Sequence, residues 1–259
     1  MGRYPQLWAA LLAARRGGEA LDSWAADRPG RGHATMSNET AECDLVAEEA
    51  ILTELDRHYP DHDVISEESS PEFAPKPRWI VDPLDGTVNY LNGVPHYSVS
   101  IAFESASERD VSVVYHIPSD TMYAAVEGEG AFANGRSLSV SETGSIEDAL
   151  VVTGFDPATM EAQDVDQFRS LIGETQGVRR FGSAAAELSM VATGRFDVFF
   201  ERVLSVWDTA AGTHIVEEAG GEVTRIERLD GENSEMVLAS SPGIHRDLVA
   251  LVSPGPAGE

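Results

Sequence analysis

Leu7, Leu11, Leu12, Leu21 and Trp24 recur at helix-like intervals, so residues 4–26 are expected to form one amphipathic helix, with Gly17-Gly18 a weak or closely packed point in it. A second run, Leu45, Leu52, Leu55 and Tyr59, predicts a helix over 40–59. Between them, residues 27–38 are rich in Gly, Arg and Pro and read as a loop of the kind that often acts as a lid. The pattern then becomes strand-like. Short apolar stretches at 64–68, 79–81, 97–103, 111–116, 123–126 and 131–133, with turns at Gly128-Glu-Gly130 and Asn134-Gly135, predict a mostly antiparallel sheet. From residue 150 onward strand alternates with helix: strands at 150–153, 177–181, 196–200 and 237–240, and helices at 164–175, from Gly182-Ser-Ala-Ala to 192, and at 208–219. The fold class is therefore α+β passing into α/β, with halves at 1–140 and 141–259 and a tail, 253–259, expected to be disordered.

The chemistry concentrates where the strand at 79–81 ends. Asp82 and Asp85 lie three residues apart on a bend marked by Pro83, which cannot extend a ladder, and Gly86, which permits a sharp turn. If a helix starts there, the N–H groups of Gly86 and Thr87 face outward and offer an anion site. Carboxylates suit a hard cation and N–H groups suit phosphate, so the stretch fits a metal-bridged phosphate ester, with Mg²⁺ the natural ion. A solvated Asx turn is the plainer alternative. Asp208 opens a later helix as an N-cap, a metal ligand or both. His214 and Glu217 have the i, i+3 spacing of a metal pair, against which the packing residues Ile215 and Val216 weigh. Gly128-Glu-Gly130 is not a nucleotide loop, because no helix follows it. His96 and His116 fall in predicted strands and read as packing or surface residues.

Asp82-Pro-Leu-Asp-Gly-Thr87, with Asn89 after it, resembles the signature of the inositol monophosphatase family of Mg²⁺-dependent, lithium-sensitive sugar phosphatases. Ile65-Ser-Glu-Glu68, Gly182-Ser-Ala-Ala185 and Trp207-Asp-Thr-Ala-Ala-Gly212 match in the family's order and spacing, so the resemblance spans nearly the whole chain. It implies a layered α-β-α-β-α sandwich and phosphomonoester hydrolysis by two-metal activation of water. Carried over residue by residue, it makes Glu67, Asp82 and the carbonyl of Leu84 the holders of one Mg²⁺, and Asp82, Asp85 and Asp208 those of a second. Thr87, paired with Asp44, would orient the attacking water with Glu67. The phosphate would lie on the N–H groups of Gly86 and Thr87, Ser183 and Ala184 would floor the pocket, and Glu201 would face the hydroxyls of the substrate ring. Ser66 stands where the family usually has Gly, and only Arg31 or His33 is placed to replace the family's loop lysine. Inositol 1-phosphate and fructose 1,6-bisphosphate both suit such a site, and archaeal-type members often accept both; Arg179 and Arg180 could reach a second phosphate. The resemblance also implies a homodimer. A metal-binding scaffold without catalysis is the alternative of another class.

Composition narrows the setting. In 259 residues, 44 acidic side chains against 18 basic give a net charge of −26, which repels nucleic acid. Lys76 is the only lysine, and so acidic a balance suits concentrated salt, where the Debye length falls to about 3 Å at 1 M. A halophilic cytoplasm is the expected setting. Cys43 is the only cysteine, so no intrachain disulfide forms. The apolar stretch 7–14 is short and precedes Arg15-Arg16, the wrong order for a signal peptide, and no apolar run is long enough for a membrane span.

Overall fold

A computed structural model of the chain describes residues 4–27, 36–69, 74–105, 109–155, 160, 162–227 and 235–252. Arg31, His33 and the tail 253–259 lie outside the described residues. The chain opens with α1 (Pro5–Ala26) and α2 (Met36–His58). A seven-stranded sheet follows in sequence order: β1 (Asp63–Ser66), β2 (Arg78–Asp85), β3 (Ser98–Glu104), β4 (Arg109–His116), β5 (Thr121–Val126), β6 (Gly130–Ala133) and β7 (Arg136–Ser137), with the short helix α3 (Thr87–Leu91) after β2. Only β1 and β2 run parallel in it; the rest is an antiparallel meander. The second sheet has five strands in the order β11-β12-β10-β8-β9, drawn from β8 (Leu150–Thr153), β9 (Gly177–Arg179), β10 (Val198–Leu204), β11 (Glu222–Glu227) and β12 (Glu235–Ser240). Its helices are α4 (Ala162–Glu174), α5 (Ala184–Ala192), α6 (Val206–Glu218) and α7 (His245–Val252).

Strand alternation decides which layer each sheet covers. On β2, β3 and β4 the residues Trp79, Val81, Val99, Ile101, Phe103, Val111, Val113 and Tyr115 point toward α1 and α2, while Ile80, Ala102 and Val114 point toward α5 and α6. On the second sheet Val152, Phe199, Val237 and Ala239 face the same α5–α6 layer, and Val151, Val198, Phe200 and Leu238 face α4 and α7. The result is the layered α-β-α-β-α sandwich that the resemblance implies. Its middle layer, α5 and α6, has a core on each side, which is why these helices are rich in small apolar residues all round.

Several boundaries differ from the sequence reading. Strand β2 does not stop at Val81 but runs to Asp85, because a bulge between Asp82 and Asp85 takes Pro83 out of the ladder. Likewise β10 passes through Glu201 to Leu204, with a second bulge after Glu201. Strand β9 ends at Arg179, leaving 181–183 as a turn. Helix α2 begins at Met36 rather than near residue 40. His96 lies just before β3 rather than in a strand, and its ring packs on that of His116 with centroids 5.2 Å apart. Strand β11 and helix α7 were not foreseen, because Glu222–Glu227 is half charged and the helix is only two turns long. Cys43 is buried on α2.

Candidate active site

Parallel pairing of β1 with β2 brings two chain segments to the same edge of the first sheet. Ser66 pairs with Val81, and the N–H of Glu67 donates to the carbonyl of Val81 at 3.3 Å, so Glu67 leaves β1 beside Asp82. The carboxyls of Glu67 and Asp82 come close enough for Glu67 to raise the proton affinity of Asp82. Glu67 stands at the exposed rim; Asp82 is 1% exposed. The N–H of Leu84 donates to Asp82 Oδ1 at 3.0 Å, closing the bulge into an Asx-type turn. Ser66, in the position usually Gly, donates its hydroxyl to Glu48 on α2.

Asp85 is received by the N-terminus of α5. Its Oδ1 accepts from the N–H of Ala184 at 3.0 Å, and its Oδ2 from the N–H of Ala185 at 2.8 Å, Ser183 Oγ at 2.6 Å and Ser98 Oγ at 3.2 Å. A helix N-terminus favours negative charge, so these donors offset part of the cost of burying Asp85. The polar groups of Ser183 and Ala184 thus enter the site as holders of Asp85. Gly86, at φ +93°, starts α3 as its N-cap; a Cβ there would stand 3.1 Å from the carbonyls of Gly182 and His96. The hydroxyl of Thr87 lies 2.9 Å from the carbonyl of Leu84 and 3.2 Å from Asp44 Oδ1 on α2, and its single proton serves one of them at a time.

Asp208 arrives from the other sheet's side. It is not the N-cap of α6: Ser205 is, and Asp208 at the third helical position accepts the Ser205 N–H on Oδ2 at 2.6 Å in a reciprocal capping box. The carbonyl of Trp207 accepts from Ser100 Oγ on β3 at 3.4 Å, which ties the start of α6 to the first sheet. Glu201, on β10, leans on the backbone of Gly154, where a Cβ would lie only 2.2 Å from either carboxylate oxygen.

The electrostatics show how closely these groups meet. Burial, then repulsion from Glu67, Asp85 and Asp208, holds Asp82 well above the usual carboxylate range. Asp208 is raised in the same way by burial, Glu67 and Asp85, and Glu201 by burial, Glu187, Asp208 and Asp85, with Arg180 opposing. Burial also raises Asp85, against its four donors. Desolvation of its carboxyl among the neighbouring acids and repulsion from Glu68 push Glu67 up to about 7; burial and repulsion from Glu67 and Glu68 push Asp44 up to about 8. Among the described residues, no ion pair joins Glu67, Asp82, Asp85 or Asp208 to Arg or Lys.

Such a cluster lacks positive charge, and a divalent cation with oxygen ligands supplies it. The residues therefore fit Mg²⁺ by the chemistry of their donors, although among the described residues no three His, Cys, Asp or Glu side chains already close on one point; Asp82, Asp85 and Asp208 each accept a protein N–H or O–H instead. The pair His214 and Glu217 forms no such centre: His214 Nδ1 is 2.8 Å from Ser112 Oγ in the core, and Glu217 lies 3.7 Å from Arg225. The amides of Gly128 and Gly130 are bound by the carboxylate of Glu218 at 2.9 and 2.8 Å, so that turn holds its own chain's acid. Sequence reasoning missed Ser98, Ala185, Gly154 and Glu187. Ser98 and Ala185 act on Asp85 from 13 and 100 residues away, Gly154 acts through an absent Cβ, and Glu187 accepts backbone amides six and five residues before it that no motif marks.

Comparison with known proteins supplies the context. The model of the inositol monophosphatase family matches residues 6–254. The chain is 40% identical over 231 residues to a protein of Pseudomonas aeruginosa named Nus factor SuhB, covering 85% of each. It is also 40% identical over 191 residues to an inositol-1-monophosphatase of Rhizobium meliloti, covering 72% of each. The solved structure of inositol monophosphatase from Anabaena (Nostoc) superposes with a TM-score of 0.82 at 34% identity, covering 96% of this chain and 95% of that one.

Proposed function

The chain belongs to the inositol monophosphatase family and is a phosphoric monoester hydrolase, and we propose that it hydrolyses inositol 1-phosphate or a related sugar phosphate, fructose 1,6-bisphosphate included, with Mg²⁺. The observation that carries this reading is the convergence of Glu67, Asp82, Asp85 and Asp208 from three separate parts of the fold, where desolvation raises the proton affinity of all four, repulsion from neighbouring carboxylates adds to it for Glu67, Asp82 and Asp208, and no cationic side chain is paired to them among the described residues. Glu67, Asp82 and the Leu84 carbonyl would hold one Mg²⁺, and Asp82, Asp85 and Asp208 another; the ions would supply an acidified water and offset charge on the phosphate. Thr87, steadied by Asp44, and Glu67 orient the water whose oxygen forms the new bond to phosphorus as the ester P–O bond breaks. The N–H groups of Gly86 and Thr87 receive the phosphate, and Glu201, fixed against Gly154, accepts hydroxyls of the polyol. The setting we propose is a cytoplasm rich in salt, with the chain as a homodimer.

A second reading, that the chain serves as a Nus factor or scaffold besides hydrolysis, is favoured by the relatives named Nus factor SuhB. One experiment weighs the two. Phosphate release from inositol 1-phosphate and fructose 1,6-bisphosphate is measured in molar KCl, with Mg²⁺ and with chelator. The expected result is Mg²⁺-dependent release that Asp82→Asn lowers by more than about 100-fold, since even partners that merely orient a metal ligand are worth 10- to 100-fold. Full activity of the variant would sink the metal assignment, and no release from either ester would favour the scaffold.

A further inference from the structure

Two backbone N–H groups, those of Phe181 and Gly182, donate to the same oxygen, Oε1 of Glu187, at 3.0 and 2.7 Å. Glu187 is fully buried in α5, and its Oε2 has no hydrogen-bond partner among the described residues. The carbonyls of the same two residues face Asn89 of α3, whose Nδ2 lies 2.7 Å from the Phe181 carbonyl and 3.3 Å from that of Gly182, and 2.8 Å from the carbonyl of His96. An amide has two protons, so the 3.3 Å contact is the marginal one. The turn gripped in this way passes through Gly182, at φ +85°, and runs directly into Ser183, Ala184 and Ala185, the three residues that donate to Asp85 from α5.

We propose that Glu187 and Asn89 are positioning residues for the cation site: holding the 181–183 turn from its amide side and its carbonyl side, they fix the N-terminus of α5 and through it the carboxylate of Asp85. The inference rests on the reading of Asp85 as an Mg²⁺ ligand. A buried acid with an unpartnered oxygen is costly to a fold, and an apolar side chain at this face of α5 would avoid the cost while leaving two turn amides unheld. The acid is therefore where the turn needs an acceptor, not where the core needs volume. Burial pushes Glu187 up to about 8, and glutamine, neutral and of the same shape, keeps the acceptor oxygen that the two amides need.

The test titrates MgCl₂ into the full chain and reads half-saturation from the rise in Tm, with phosphate release measured alongside. Glu187→Leu and Asn89→Ala are each expected to raise the half-saturating Mg²⁺ by about 10- to 100-fold, as loss of a ligand-orienting group does, while Glu187→Gln restores the parental value. Asp197→Asn is the structural control: Asp197 accepts from Ser141, Thr143 and the N–H of Leu150 at the far end of β10, so its loss lowers Tm and leaves half-saturation alone. Glu187→Leu or Asn89→Ala behaving like that control overturns the inference, and if the leucine variant does not fold, Asn89→Ala, at a half-buried position, decides it. Asp82→Asn separates the two layers of the argument. If it keeps the parental Mg²⁺ response, the metal assignment falls and the positioning role with it; if it loses that response while Asn89→Ala retains parental half-saturation, only the positioning role falls.

Discussion

Val203 sits at φ +62°, the left-handed region that a β-branched side chain avoids, between Glu201 and the cap of α6. Such a conformation costs on the order of 1–3 kcal/mol and persists only where the surroundings impose it. Here they do: β10 is bulged after Glu201, pairing resumes at Leu204, and Ser205 must cap the helix that carries Asp208. Glycine adopts this conformation freely, at an unfolded-state cost of about 0.5–1 kcal/mol. Val203→Gly is therefore expected to raise stability by about 1 kcal/mol, seen as a higher Tm in thermal unfolding, where the same exchange in an unstrained strand would lower it. A lower Tm would mean that the half-buried side chain contributes more packing than the strain removes.

Among the elements, α1 shows how packing overrides propensity. Glycine is unfavourable in a helix by about 1 kcal/mol relative to alanine, so Gly17-Gly18 reads as a weak point. The structure supplies the reason for it. A Cβ on Gly18 would lie 2.6 Å from Cε1 of Tyr115, and one on Gly17 2.8 Å from Cδ1 of Ile51. The Ile51 end can yield, but the Tyr115 ring is anchored by its hydroxyl, which accepts from Arg15 at 2.7 Å and donates to Asp120 at 2.9 Å. Gly18→Ala is expected to destabilise by about 1–2 kcal/mol net, because overpacking outweighs the propensity gain. Gly173→Ala on α4, with open space around it, should instead gain up to about 1 kcal/mol. Denaturant midpoints of the two variants check the contrast. The same division governs what was legible in the sequence. Periodicities of 3.6 and 2 mark α1, α2 and the first sheet, and the Asp82–Thr87 motif marks the candidate site, because these signals are local. Pro83 reads as a strand end, yet a bulge carries the strand to Asp85; Asp208 reads as a cap, yet Ser205 fills that place. The anchors of Asp85 come from across the fold, 13 to 100 residues away, where no local pattern reaches.

For the molecule as a whole, two electrostatic costs of different range act at once. The net charge of −26 is spread over the surface, and its repulsion is relieved by any salt that screens it. The site's carboxyls are a local cost that screening reaches poorly and that a divalent cation would remove directly. The pH dependence separates them. An acid raised in the folded state binds its proton more tightly there than in the unfolded chain, so the metal-free protein loses stability as pH climbs from the unfolded value of 4.5 toward about 7 for Glu67, and from 3.8 toward about 8 for Asp44. Below the unfolded values both states are protonated and the cost is absent. Mg²⁺ binds the ionised form, so its stabilising effect should grow from pH 5.5 to pH 8 and saturate at the site's own affinity. KCl should raise Tm progressively into the molar range and over the whole of that pH interval. Thermal unfolding at both pH values, titrated separately with MgCl₂ and KCl against a chelator control, tests both arms. A flat response to KCl would remove the argument for a salt-rich setting, and an Mg²⁺ effect equal at the two pH values would mean that the raised carboxyls are not the groups the cation meets.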